Sequence, residues 1–237
     1  DDVTVEAVVE VLLANADLHA NGVALGERRL RDASAHLESR GRDFHFALRT
    51  EGQGALGASA SGRWSADHRA LSLASLELTM PEVTWRQAAA PVEITFEPVA
   101  VRGLDLRANG QRLRGDFALA AGRLDAEVDI SALDLARLPR WLLARELPPT
   151  RLDLHAKLDV PAQWPPPPRA PAAADVELRV GEVKGLLALA DVTRPRVAGA
   201  FHLTLALAGT AGAPRLDGKA ELARASVDGQ SLGDVRL

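Results

Sequence analysis

From residue 151 to residue 160, apolar and charged side chains alternate without a break. Leu152, Leu154, Ala156, Leu158 and Val160 fall on one side, and Arg151, Asp153, His155, Lys157 and Asp159 on the other. Successive side chains of a β-strand point to opposite faces, so this run predicts a strand with one aliphatic and one solvated face. Residues 123 to 130 repeat the scheme, with Leu124, Ala126, Val128 and Ile130 set against Arg123, Asp125, Glu127 and Asp129. Shorter strands of the same kind carry Phe44, Phe46 and Leu48; Val92, Ile94 and Phe96; Val176, Leu178 and Val180; and Phe201, Leu203, Leu205 and Leu207. Two stretches change phase partway, at Leu71, Leu73 then Leu76, Leu78, Met80, and at Val99, Val101 then Leu104, Leu106. A β-bulge or tight turn near Ala74-Ser75 and at Arg102-Gly103 accounts for each shift.

Between the strands stand turn dipeptides that accept positive φ: Asn21-Gly22, Asn109-Gly110, Ala121-Gly122 and Asp228-Gly229. Residues 3 to 13 fit both an alternating strand and a helix face, and their valines favour the strand. One segment, Asp134 to Leu147, reads as a short amphipathic helix. Its regular turn begins at Pro139, a residue suited to the first helical position, and it stops at Pro148-Pro149. Leu138, Trp141, Leu142 and Arg145 then share one side. The run from Trp164 through Pro165-Pro166-Pro167-Pro168 to Pro171 cannot pair as a central strand and reads as an extended polyproline connector. Residues 161–171 are therefore a candidate sub-boundary. A turn, two spacers, a leucine and a nearby glycine recur after Asn21-Gly22, Asn109-Gly110 and Asp228-Gly229, as in a repeated hairpin that grows by addition.

Composition narrows the picture by exclusion. The 237 residues hold 28 basic and 32 acidic side chains, a net charge of −4 that names no partner. With no cysteine, disulfide frameworks, thiolate metal sites and thiol nucleophiles are all removed. The longest apolar stretch, around Leu186 to Ala190, is far short of the ~20 residues that cross a bilayer as a helix. Four Trp and five Phe with no Tyr cannot furnish the aromatic girdles of an outer-membrane barrel. The chain opens on Asp1-Asp2-Val3 and stops inside strand-like sequence, and it reads as residues 1–237 of a longer protein.

Candidate chemistry is sparse. His19, His36, His45, His68, His155 and His202 are scattered without metal-ligand spacing, and several lie on the polar side of strands. Gly52-Gln53-Gly54-Ala55-Leu56-Gly57 matches the dinucleotide pattern in form, but that loop must open a helix, and Ala58-Ser59-Ala60-Ser61-Gly62 reads as strand or turn. Ser59 and Ser61 lack the frame of a hydrolase elbow. The 25 Arg and 3 Lys are interleaved with acids, unlike the basic stripe of a nucleic-acid binder. The expectation is a protein without enzymatic activity, metal or cofactor, whose function lies in shape and surface.

The phrase from Leu205 through Gly209-Thr210 and Pro214 to Leu222, followed by Val227-Asp228-Gly229-Gln230-Ser231-Leu232-Gly233 and a new strand to Leu237, resembles the repeating unit of TamB-like proteins of the AsmA-like superfamily. Ile130-Ser131-Ala132-Leu133-Asp134-Leu135 leading into Trp141-Leu142-Leu143 resembles the place where a short helix interrupts that family's strands. Asp159-Val160-Pro161 and the proline tract depart from the family, which often has a glycine there. The resemblance implies an all-β fold: an elongated, curled, mostly antiparallel sheet forming a groove, with one short amphipathic helix. It also implies a periplasmic segment of a protein anchored in the inner membrane and carrying phospholipid toward the outer membrane. Its partners would be phospholipid acyl chains, adjoining segments of the same chain and a TamA-like outer-membrane barrel, with no nucleic acid.

The expected groove lining is the aliphatic side of the strands named above: Phe44, Phe46, Leu48, Val92, Ile94, Phe96, Leu124, Val128, Ile130, Leu152, Leu154, Leu158, Val176, Leu178, Val180, Phe201, Leu203, Leu205 and Leu207. About 14 strands at ~4.8 Å each would make a trough of roughly 65 Å. Two alternatives stand beside the lipid conduit: a scaffold that templates client strands at its sheet edges, and a plain structural β-sandwich with a filled interior.

Overall fold

The structure is a computed structural model that describes residues 13–21, 24–25, 28–29, 32–51, 55–88, 91–137, 148–163, 166–189, 192, 194 and 196–236. The expected strand over residues 3 to 13 and the helix from Pro139 to Leu147 lie outside the described residues, apart from Leu13.

One antiparallel sheet of 15 strands makes up most of the described chain, and the fold is an elongated, curled all-β sheet. The first half contains β1 (Leu13–Asn21), β4 (Asp32–Arg40), β5 (Asp43–Glu51), β6 (Gly57–Trp64), β7 (Ala70–Met80), β8 (Val83–Gln87) and β9 (Val92–Phe96). The second contains β10 (Val99–Ala108), β11 (Gln111–Ala120), β12 (Arg123–Asp134), β13 (Arg151–Pro161), β14 (Ala173–Val180), β15 (Val197–Thr210), β16 (Ala213–Val227) and β17 (Gln230–Arg236). Two short strands, β2 (Ala24–Leu25) and β3 (Arg28–Arg29), pair with each other apart from the sheet. Within this sheet successive strands pair, except β8 and β9, as hairpin spacing requires. Ala121-Gly122, Asn109-Gly110 and Asp228-Gly229 each place both turn residues at positive φ, matching the right-handed twist of the flanking strands.

The meander has one interruption. β8 and β9 together occupy a single strand position between β7 and β10: Glu77–Met80 pair with β8, and Ala70–Leu73 pair with β9. The Gln87 side chain spans the break, accepting from the Asp105 amide at 3.0 Å and donating to the Gly103 carbonyl at 2.8 Å. A side-chain amide here replaces a missing peptide pair.

Both expected phase shifts are irregularities of register. β6 and β7 shift between Ser61 and Gly62, opposite Ala74-Ser75, and β10 and β11 shift between Val101 and Leu104. The α-helix of the described residues is one that the alternation did not predict. α1 is Val183–Leu189, where alternation ends at Val180 and a run of leucines begins; Leu135–Arg137 form a 3₁₀ turn. α1 packs over Thr150, and a Cβ on Gly185 would collide with Thr150 Oγ1, so glycine is required for that approach.

The sheet continues across the proline connector, with β13 and β14 paired from Leu152–Val180 to Asp159–Ala173. Pro171 bridges Thr210, and the Ala211 and Gly212 amides donate to the carbonyls of Ala170 and Pro168, so the connector lies along the ends of the strands.

Candidate functional site

Directly opposed residues of an antiparallel pair share a face. Following the register from strand to strand therefore shows where each expected lining residue sits. Ile130 opposes Leu154, Leu154 opposes Leu178, Leu178 opposes Leu203, and Leu203 opposes Ala220. The neighbouring rows read Val128, Ala156, Val176, Leu205, Gly218 and Ala126, Leu158, Ala174, Leu207, Leu216. Leu152, Val180, Phe201 and Leu222 make a fourth row, and Leu124 pairs with Leu119 and Val160. Toward the N-terminal half, Ala126 leads through Phe117 and Val101 to Ile94 and Leu71. Phe96 pairs with Val99; Val92 leads through Leu73 and Gly62 to Phe44; and Phe46 and Leu48 oppose Ala60 and Ala58. All of the expected lining residues lie on one face of one sheet. Each bulge inserts an extra residue where the phase changes, and that keeps the face continuous.

This face is only partly covered. Of those residues Val92 and Val180 are buried, at 1% and 2% exposure, Phe96 is 42% exposed, and the others are half-buried. No second sheet packs on it among the described residues. Its tight part lies at β6–β10, where Val83, Trp85, Leu106 and Ala108 form one buried cluster and Ala60, Leu73 and Val92 another. Phe44, Trp64 and Phe96 lie ring to ring at 6.0 Å spacings beside it. A cleft of about 670 Å³ lies at the same place, lined in part by Phe44, Trp64, Leu71, Arg63 and Glu93.

The opposite face is polar and organised by charge. Asp153 opposes Arg179, His155 opposes Glu177, and Lys157 opposes both Glu127 and Asp175. His155 Nδ1 lies 2.6 Å from Asp129 Oδ1, and this contact raises the imidazole pKa above its ordinary 6.5 against a smaller opposing effect of desolvation. Glu177 accepts from Arg179 and lies 3.0 Å from His202 Nε2, and those two contacts hold its carboxyl below the usual range. The one buried carboxylate of the described chain, Asp105, accepts two 2.8 Å bonds from Arg112 and one of 3.3 Å from Arg107. The Arg112 bonds chiefly lower its pKa to about 2, against the opposing cost of burial.

A histidine held by an aspartate is part of a hydrolytic triad, yet no serine or threonine hydroxyl bonds to His155 or His202 among the described residues. Nor do three or more His, Asp or Glu gather as they would around a metal ion among the described residues. What the arrangement offers chemically is a continuous aliphatic surface backed by a charged one.

Sequence reasoning missed the polar groups that stabilise the irregular points: Gln87, Gln111, Asp116, Asp153 and Asp234. Each accepts a backbone N–H at or near a bulge. The available signal was that alternation breaks phase opposite an acid or amide on the next strand. No family model, curated protein or solved structure matches this chain.

Proposed function

We propose that this chain is a non-enzymatic segment of a TamB-like envelope protein, holding phospholipid acyl chains against its aliphatic face in the periplasm, with the parent protein anchored in the inner membrane. The supporting observation is the single apolar face, continuous in register from Phe44 to Leu222 and half-exposed over β11–β16. An acyl chain laid on it gains ~0.8 kcal/mol per buried CH₂, while headgroups remain at the rims. The lining supplies no fixed polar contact that would hold one lipid in one place, which suits passage along the sheet.

Leu205→Glu tests the reading. Leu205 lies mid-strand between Val176 and Gly218, half-buried, so the charge enters the middle of the face while the sheet survives. Lipid extracted from the purified protein is expected to fall to background with strand content unchanged by circular dichroism. Unchanged lipid content overturns the proposal.

A second reading, a scaffold for outer-membrane protein assembly with a TamA-like barrel, draws support from β17, whose outer edge has no partner among the described residues. Crosslinks from Ser231 to client strands, in protein free of lipid, would favour it. A bulge at Gly233 (φ 77°) twists that edge and weighs against simple strand addition.

A further inference from the structure

Three irregularities share one geometry. In β10, Arg102 and Gly103 stand where β11 offers only Asp116; in β12, Ser131 and Ala132 stand opposite Asp153 of β13; in β16, Ala223 and Arg224 stand opposite Asp234 of β17. The second bulge residue has positive φ each time: 76° at Gly103, 54° at Ala132 and 53° at Arg224. Each one's amide is freed from the ladder and donates to the facing aspartate Oδ1, at 2.7, 2.6 and 3.0 Å respectively. Two are clamped a second time two residues on, where the Asp105 and Asp134 amides donate to the Gln87 and Gln111 side chains. The sequences agree as well: Val101-Arg102-Gly103-Leu104-Asp105-Leu106 and Ile130-Ser131-Ala132-Leu133-Asp134-Leu135. Leu73-Ala74-Ser75-Leu76-Glu77-Leu78 has the same form at the β7 bulge.

The consequence shows in burial. β10, β12 and β16 run in the same direction, and the rim where they end is the upper rim. Beyond the bulges lie Leu106 (5% exposed), Leu135 (3%) and Ala225 (1%). At the opposite, lower rim Val99, Leu119 and Leu216 are 50%, 42% and 66% exposed, while at the upper rim the edge strand β17 leaves Leu232 57% exposed. β14 has no such bulge and ends at the upper rim in α1, which buries Val183 there instead. A bulge bends its strand and tightens its twist.

We propose that these carboxylate-clamped bulges are the device that folds the upper rim over the apolar face, with Asp116, Asp153 and Asp234 as positioning residues that hold each bend. The groove is thereby closed along one rim and accessible along the other, whatever it carries. A bulge amide without its acceptor regains freedom to re-pair or to meet water, and the bend loses its fixed angle.

The test compares the triple variant D116A/D153A/D234A with D116N/D153N/D234N, which keeps an oxygen acceptor at each position. Spin labels at Asn109 and Asp228 mark the upper rim, and labels at Glu97 and Ala121 the lower. The alanine triple is expected to broaden and lengthen the upper-rim distance, to leave the lower-rim distance unchanged and to retain strand content, with the asparagine triple matching the unsubstituted protein. An unchanged upper rim in the alanine triple, or the same change in both triples, overturns the proposal. If the alanine triple does not fold, Asp153→Ala alone is read by hydrogen exchange. Exchange at Ala132 should quicken about tenfold, as expected for loss of one charge-assisted bond, with the effect confined to the upper halves of β12 and β13. Exchange unchanged at Ala132, or quickened evenly across the sheet, overturns it as well.

Discussion

β6–β10 and β13–β16 follow the same alternating pattern and present the same face, yet the first packs into buried clusters while the second, apart from Val180 and Ala225, stays half-buried. In β6–β10, Leu73, Val83, Trp85, Val92 and Leu106 are nearly inaccessible, while in β13–β16, Leu154, Leu178, Leu203 and Leu205 stay half-exposed. Composition alone does not account for this: both carry rows of aliphatics, to which β6–β10 adds Trp64, Trp85 and Phe96. Geometry does: the first region contains the split strand β8–β9 and two bulges, which bring residues of the same sheet face against one another, whereas β13–β15 pair without a register shift from Leu152–Val180 onward. Alternation determines which side is apolar, and irregularity determines whether that side meets itself or is left for something else.

Trp85→Ala should cost about 3–5 kcal/mol in chemical denaturation, as for loss of a buried aromatic, and expose Val83, Leu106 and Ala108 of its cluster. A smaller pairwise test keeps the chemistry constant. Leu106→Ala should cost about 3 kcal/mol and Leu178→Ala about 1 kcal/mol, because only the first leaves a cavity in packed surroundings. Equal losses would remove the distinction between the regions.

Asp105 makes the packed region sensitive to acid. Its carboxyl is held at about 2, below the ordinary 3.8, so its contribution is fully present above pH ~4 and is lost as pH falls toward 2. A shift of that size corresponds to about 2 kcal/mol, and Asp105→Asn should remove it at pH 7 with the difference closing by pH ~2. The smallest effect belongs to the open region. His155 has a raised pKa, so its pairing with Asp129 is complete below 6.5 and fades as pH rises through the raised value. His155→Gln should change stability by under ~0.5 kcal/mol at pH 7, and an imidazole titration midpoint at or below 6.5 by NMR would contradict the contact.

Much of this fold is legible in the chain because period-two alternation is a local signal. The strands over 123–130 and 151–160, the phase shifts at Ala74-Ser75 and Arg102-Gly103, and three hairpin turns are where their residues place them. The common face of the expected lining follows from the same signal once the strands pair in order. What the pattern could not supply is coverage. Val92 and Leu205 look alike in sequence, and their difference in burial depends on a split strand whose partners lie on both sides of it. α1 escaped for a related reason: a leucine run of that length suits a buried strand as well as a helix, and the packing of Gly185 on Thr150 decides between them.

The charged rungs on the polar side have a bearing on assembly itself. Sliding one strand by a single residue would turn its aliphatic side chains to water, but sliding by two would not, so burial alone is blind to that error. Between β13 and β14 the correct alignment sets Asp153 against Arg179, His155 against Glu177 and Lys157 against Asp175. A two-residue slip in one direction would bring Asp153 opposite Glu177, and in the other Asp159 opposite Asp175 and His155 opposite Arg179. Each strand thus carries an address in its charges that its neighbour can check, and in a sheet of so many similar strands that address distinguishes the right neighbour from the next best.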